Sequence, residues 1–314
     1  MREFAAQFEF TPQSRYLLTA PLNVLHMYGV TMACVRSGGT VVFDLVGNTL
    51  NVARSVSAHG ITRVSLFPMV LKQVLDELPP DFVKPPNLTI HSIGAPISVA
   101  LRERALKRLA VYFLRGYGCN ETAAVYVSRA PRADGFDSIW PEIEVEIVDD
   151  NDRPIPSGTI GHIRLRTQCM VDDYPDDPEA THRCFKNGWF YPQDMGMLND
   201  SRQLKVVGRS TEVINIGGQK VAPGDLEDLA LRNAPVTDVG ACSFPNPEGI
   251  EEIYIAFSLA QGDANQIGQR IADALSRRRY SNYYVVRLQS IPRNANGKIQ
   301  RDLLKQAIAA TLGR

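Results

Sequence analysis

LTIHSIGAPISVALRERALKRLAVYFLRGYGCNET, residues 88–122, holds the alternation that decides the fold class. Leu88–Ile93 is a short apolar run of strand character. Ser98 is a plausible N-cap for a helix that places Leu101, Ala105 and Leu109 at i, i+4 and i+8. Val111–Leu114 is apolar again. Upstream, Thr40–Val46 and Ile61–Leu66 read as buried strands, and Met69–Leu78 as the helix between two of these runs. Strand, helix, strand, helix, strand predicts a parallel α/β sheet. Ligands of such sheets bind beyond the carboxyl ends of the strands. The loops Gly94-Ala95-Pro96 and Gly116-Tyr117-Gly118 follow strands and are therefore candidate ligand contacts.

The pattern changes further along. Ile143, Val145 and Ile147 alternate with Glu144 and Glu146, and Ile163 and Leu165 alternate with Arg164 and Arg166. Turn residues Asp149–Asp152 and Pro156-Ser157-Gly158 lie between, so an antiparallel β subdomain is expected over about residues 140–207. After Gly208 the order is a Gly217-Gly218 turn, a helix near Gly224–Asn233 and strands near Val239–Phe244 and Ile253–Leu259. A helix from Ala264 to Arg278, a strand at Tyr283–Leu288 and a helix from about Asp302 complete it. The expected domains are residues 1–207 and an α+β domain of residues 208–314.

At 314 residues, about two domains are expected. Lys+Arg and Asp+Glu are each 34, a balance that argues against a general nucleic-acid or membrane-surface binder. Locally the balance breaks: residues 131–200 carry 15 acids and 6 bases, and residues 276–314 carry 9 bases and one acid. A basic end suits an anionic ligand or a solvated helix face equally well. Cys34, Cys119, Cys169, Cys184 and Cys242 are odd in number and lack C-x-x-C spacing, so neither a disulfide framework nor a zinc site is expected. No apolar run reaches the 18 or so residues of a membrane span, and a cytoplasmic location is expected.

Four short segments could carry chemistry. In Gly116–Thr122, the glycines allow close approach to a ligand, Tyr117 could stack on a base, and Glu121 could hold a hard cation beside phosphates; an ordinary glycine-rich turn fits as well. Asp194, after the aromatic run Trp189-Phe190-Tyr191, could accept from two ribose hydroxyls or serve as a turn aspartate. Arg209 could bond ribose or phosphate, or pair with an acid. Lys298 follows an Asn-Gly turn and could carry its charge into a site or remain solvated. The acidic run Asp172–Asp177 contains D-D-x-x-D, but Pro175 would break a metal-binding helix there, so a solvated loop is expected.

The order Tyr-Gly-x-x-Glu, Gly-Trp-x-x-x-x-Asp, Gly-Arg…Gly-Gly and Pro-x-x-x-x-Gly-Lys-Ile-x-Arg resembles the adenylate-forming superfamily. Its members are acyl- and aryl-CoA ligases, peptide-synthetase adenylation domains and beetle luciferases. Pro21–His26 looks like that family's Pro-Leu-x-His segment, and Pro178–Thr181 like its Pro-Glu-Ala-Thr segment. The resemblance implies a carboxylate–CoA ligase that uses ATP, Mg²⁺ and CoA, forming an acyl-adenylate and then a thioester. The acceptor could also be a carrier-protein thiol. It implies that Gly94, Ala95 and Pro96 line the adenine site, and that Tyr117 stacks on the adenine beside Gly118 and Asn120. Glu121 would hold Mg²⁺, Asp194 and Arg209 the ribose, and Lys298 would touch the acid and the α-phosphate. His26, Gly116 and Ala123 would border the acyl pocket. Gly217 and Gly218 would line the pantetheine channel, and Thr211 would be the hinge before a mobile C-terminal domain.

The chain departs from the family pattern at Asn120, where Thr is usual, and at Pro192-Gln193, where Thr-Gly is usual. It departs again at Thr211, where Asp or Lys is usual, and at Asp225, where Glu is usual. The family's Ser/Thr/Gly-rich phosphate loop would precede the Pro-Leu-x-His segment, and it is not found in these residues. A truncated N-terminal lobe is therefore expected. A non-catalytic remnant that binds a nucleotide or a partner, or one subunit of a two-chain ligase, are the alternatives.

Overall fold

The computed structural model describes residues 8–43, 52–94, 97, 99–128, 134–216, 219–248, 250–278, 280, 282–294 and 297–313. The chain divides into two compact units. One comprises Met1–Glu146, Ile163–Pro192 and Leu198–Lys205; the other comprises Ile147–His162, Gln193–Met197 and Val206–Arg314.

The first unit is built on a six-stranded sheet. Its strands are β1 (Arg15–Leu17), β2 (Thr40–Val42), β3 (Arg63–Leu66), β4 (Thr89–Ser92), β5 (Tyr112–Cys119) and β6 (Ala123–Ser128), in the order β2-β1-β3-β4-β5-β6. The first five pair in parallel and β6 returns antiparallel to β5. The helices are α1 (Leu25–Arg36), α2 (Val52–His59), α3 (Pro68–Glu77) and α4 (Val99–Arg108). The end of the strand expected at Thr40–Val46, and the expected cap Ser98, lie outside the described residues.

Strand alternation sorts the two faces. Leu17, Val64, Leu66, Ile90 and Phe113 pack with Val52, Val56, Leu71, Val74, Leu75, Ala105 and Leu109, placing α2–α4 on one side. Tyr16 and Leu114 point the other way and pack with Phe8, Phe10, Val30, Ala33 and Cys34, so α1 covers that side. β4 is buried along its whole length, as expected of a central parallel strand.

Seven short strands form the β subdomain: β7 (Asp137–Ser138), β8 (Glu144–Val148), β9 (Gly161–Arg166), β10 (Phe185–Lys186), β11 (Trp189–Phe190), β12 (Asp194–Leu198) and β13 (Gln203–Arg209). A helix, α5 (Pro178–Cys184), precedes β10. Within the first unit β10 pairs with β11, β11 with β9 and β13 with β7, all antiparallel. The Glu and Arg residues of the alternating stretches pair across strands: Arg164 with Glu146 and Arg166 with Glu144, each at 2.5 Å. The two guanidinium groups also lie 4.7 and 4.6 Å from the centroid of the buried Trp189 ring.

The second unit ends in the expected α+β arrangement. A hairpin of β14 (Ile214–Ile216) and β15 (Gln219–Val221) leads into α6 (Pro223–Asn233), β16 (Asp238–Pro245), β17 (Glu251–Ser258), α7 (Ala264–Arg277), β18 (Tyr283–Arg287) and α8 (Arg301–Leu312). β16 and β17 pair antiparallel, and β18 joins β17 in parallel. Val239, Ala241, Ile253, Ile255 and Phe257 face α6 and α7. Cys242, Tyr254, Ala256 and Val286 face α8 through Leu304 and Ile308. Asp263 caps α7, its carboxylate accepting from the N–H of Asn265 at 2.8 Å. At Gly240 a Cβ would lie 2.9 Å from Leu304, so the glycine gives the Leu304 side chain of α8 room against β16. No described helix is long and apolar enough to cross a membrane.

Candidate functional site

Gly116, Tyr117 and Gly118 do not form a loop after β5; they lie inside it, because β5 continues to Cys119. The chain then reverses over Asn120–Thr122 into β6. A register shift between Tyr117 and Gly118 accommodates the reversal. A Cβ on Gly118 would collide with the Ala123 carbonyl oxygen, which makes this glycine a structural requirement of the hairpin. Ala123 carries the strain, with φ at 61°. Tyr117 lies 6.0 Å from Tyr126, ring centroid to centroid. Gly94 has φ at 77°, and a Cβ there would meet the Phe67 ring at 2.5 Å. Ala95, Pro96, Gly217 and Gly218 lie outside the described residues.

Asn120 has a local purpose. Helix α1 has Val24 at its N-cap and no side-chain cap of its own. The Asn120 Oδ1 accepts the N–H of Leu25 at 3.2 Å, satisfying one orphan donor of that helix. The residue that departs from the family's Thr thereby ties the β5–β6 turn to the turn of α1 that holds His26.

His26 donates to or accepts from Ser65 Oγ at 3.0 Å, and its ring packs edge-on to His91 at 4.7 Å. A Cβ on Gly116 would lie 2.8 Å from His91 Nε2, so the glycine makes room for that ring. Two of the three acyl-pocket candidates therefore touch His91, a strand residue that belongs to none of the motifs. Both nitrogens of His91 are buried without a hydrogen-bond partner. Burial holds His26 at a pKa of about 4 and, with His26 adjacent, holds His91 well below the usual histidine value, so both rings are neutral near pH 7.

Glu121 is held at two points. Its Oε1 accepts the Tyr174 hydroxyl at 2.7 Å, and its carbonyl accepts the N–H of Val171 at 3.0 Å. No group of three or more His, Cys, Asp or Glu among the described residues could hold a metal ion by itself. A lone carboxylate nevertheless fits Mg²⁺, which takes one or two protein carboxylates and fills the rest of its shell with water and phosphate oxygens. Burial pushes the Cys119 thiol up to about 11, and its sulfur lies 3.0 Å from the Thr122 hydroxyl.

In the second unit, Asp194 opens β12 and Arg209 closes β13, and their side chains meet at 3.4 Å. Asp194 is 15% exposed and Arg209 51%, so a largely sheltered carboxylate sits beside an open guanidinium. Gln193 stands at φ 64°, a left-handed conformation that suits the glycine usual in the family. Its carbonyl accepts the N–H of Ser210 at 2.9 Å, joining the Asp194 strand to the segment after Arg209. Thr211 is an exposed turn residue.

Lys298 is exposed, but its backbone is firmly held. Its N–H donates to Asn294 Oδ1 at 3.0 Å, and its carbonyl accepts the N–H of Asn294 at 2.9 Å. Arg293 braces the turn, donating to the Gly297 carbonyl at 2.7 Å and to both oxygens of Asp238 at 2.8 and 2.9 Å. Arg301, the last residue of the same motif, pairs with Glu212 at 2.9 Å and Glu227 at 2.8 Å and donates to the Ala241 carbonyl. Burial alone would lower its pKa; Glu227 and Glu212 outweigh that and raise it.

A mostly parallel α/β sheet, an antiparallel β subdomain and an α+β end are the architecture of adenylate-forming enzymes. Residues 1–174 match the AMP-binding enzyme family, more than half of the chain, and the chain belongs to that family. It is 24% identical over 330 residues to a medium-chain fatty-acid–CoA ligase of Escherichia coli K12, covering 99% of this chain and 57% of the relative. It is 28% identical over 308 residues to 4-coumarate–CoA ligase-like 4 of Oryza sativa subsp. japonica, covering 93% of this chain and 55% of the relative. Among solved structures, an anthranilate CoA ligase in complex with anthranoyl-AMP superposes with a TM-score of 0.86 at 20% identity. That match covers 99% of this chain and 64% of the other. The chain thus spans a little over half the length of the two curated relatives.

Proposed function

We propose that the chain carries the adenosine subsite and the acid-activating lysine of a carboxylate–CoA ligase. The observation that supports this best is the meeting of Asp194 and Arg209 at 3.4 Å from separate strands. A sheltered carboxylate can accept from two adjacent ribose hydroxyls, while the open guanidinium donates to the same sugar or its phosphate. Tyr117 stacks on the adenine, which Gly94, Ala95 and Pro96 line. His26, Gly116 and Ala123 border the acyl group, and Gly217 and Gly218 line the thiol's path. Thr211, two residues after Arg209, is the hinge of a mobile C-terminal domain.

In the reaction, a carboxylate oxygen attacks the α-phosphate of ATP, giving acyl-AMP and releasing pyrophosphate. The CoA sulfur then attacks the acyl carbon, its proton is lost, and AMP leaves. Lys298 offers a fixed cation to the charge that builds at the α-phosphate in the first step. Mg²⁺, when bound at Glu121, neutralises phosphate charge.

Calorimetry with AMP, comparing the wild type with Asp194→Ala, tests the adenosine reading. The wild type should bind AMP and the variant should lose at least tenfold in affinity. Equal affinities would remove Asp194 from the ribose site.

A further inference from the structure

The acidic run Asp172–Asp177 is only partly the solvated loop its composition suggests. Asp172, Asp173, Asp176 and Asp177 are exposed, but Tyr174 turns inward among them. Its hydroxyl reaches Glu121, 53 residues earlier in the chain, at 2.7 Å.

Tyr174 is itself held from three directions. Its backbone N–H donates to the Thr181 hydroxyl at 2.9 Å, and that hydroxyl lies 3.2 Å from its carbonyl. Its ring meets Phe185 edge-on at 5.3 Å, and Phe185 packs on Phe190 at 5.0 Å. Thr181 stands in α5, where Pro178 occupies the first turn and the Asp177 carboxylate accepts the N–H of Ala180 at 2.8 Å. Asp177-Pro178-Glu179-Ala180-Thr181 thus builds a short capped helix whose threonine pins a tyrosine whose hydroxyl pins Glu121.

We propose that Tyr174, set by Thr181, is a positioning residue that orients Glu121 for a divalent cation. The inference rests on the reading of Glu121 as the cation-binding carboxylate. The hydroxyl fixes Oε1 and so sets the orientation in which the carboxylate meets a metal ion. A free glutamate would have to give up side-chain freedom on binding; this one has already done so. Outer-shell partners of this kind change metal affinity by about 10- to 100-fold when removed.

Mn²⁺ paired with ATP is the probe, read by the electron paramagnetic resonance of free Mn²⁺, with AMP in EDTA as the metal-free control. Tyr174→Phe should weaken Mn²⁺–ATP binding about 10- to 100-fold and leave AMP affinity within about twofold. Thr181→Ala should move in the same direction. Glu121→Gln should lose at least as much, and adding Tyr174→Phe to it should cost nothing more. Wild-type Mn²⁺ affinity in Tyr174→Phe would overturn the proposal, as would equal losses for AMP and Mn²⁺–ATP. A wild type that binds AMP but holds no Mn²⁺ sensitive to Glu121→Gln would overturn the metal reading and this inference with it, leaving the adenosine site standing. If the wild type binds neither probe, the adenosine reading fails, and urea unfolding of the two single variants and the double decides the orientation of Glu121. Additive shifts would refute coupling; non-additive shifts would support it.

Discussion

Replacing Arg301 with methionine removes the cation from a largely buried cluster of the second unit. The Arg301 side chain is 16% exposed, Glu227 16% and Glu212 33%, with contacts of 2.8–2.9 Å. Taking one partner from a buried pair costs about 3–5 kcal/mol, because the other charge is left uncompensated. Here two carboxylates lose their cation and the Ala241 carbonyl a donor, while Glu227 keeps the Ala241 N–H at 3.0 Å. Glu212, the most exposed of the three, can recover part of its hydration, so the lower half of that range is expected at pH 7, equivalent to about two to three decades in the unfolding constant. Arg301→Lys keeps the charge but not the fork, and should fall between wild type and methionine. Both tryptophans, Trp140 and Trp189, belong to the first unit, so their fluorescence does not report this change. Hydrogen exchange of peptides covering β16 and α8 does. Protection there should drop in the methionine variant. A loss below about 1 kcal/mol at pH 7 would mean that the cluster behaves like a surface ion pair and would refute the reasoning.

Three further outcomes follow from the geometry. His26 and His91 are neutral when folded and free to protonate when unfolded, so the first unit should lose stability as pH falls from about 6.5 through the His26 value of about 4. His91→Leu should remove one of the two protons taken up on unfolding and, by deleting two unpartnered buried nitrogens, should stabilise at pH 5 in a urea titration followed by tryptophan fluorescence; an unchanged pH slope would contradict this. Gln193 is left-handed at φ 64°, so Gln193→Gly should leave thermal stability equal or higher, whereas Gln193→Val should lower it by about 1–2 kcal/mol; equal melting of all three would count against the strain. Burial, augmented by Asp225 and Glu227 against the opposing Arg232, raises the Asp228 pKa to about 6. A raised carboxyl favours folding below its unfolded value and loses that contribution as pH rises through 6, so Asp228→Asn should stabilise at pH 7–8 and make no difference near pH 3, as read by hydrogen exchange of α6.

Much of the architecture was legible because its signals are local. Ile267, Ile271, Ala274 and Leu275 declare α7 at i, i+4, i+7 and i+8, and Asp263 marks where it starts. Alternation in Glu144–Val148 and Gly161–Arg166 foretells the strands, while their Glu–Arg pairing emerged only in the structure. Periodicity depends only on which face is buried, and a single sequence states that. Asp194, Arg209 and Lys298 could be named from their motifs, yet their partners could not.

Tertiary structure decided the rest. Gly116–Cys119 reads as a loop because two glycines interrupt it, but β6 supplies the hydrogen bonds that keep it a strand. Tyr174 reads as one more residue of an acidic run, and only the α5 turn brings its hydroxyl to Glu121. His91 looks like an ordinary member of a buried strand, and only the approach of α1 sets His26 against it. In each case the deciding contact joins residues far apart in sequence. Residue type announces what a side chain can bond; which bond it makes is settled by which distant backbone the closed chain brings within about 3 Å.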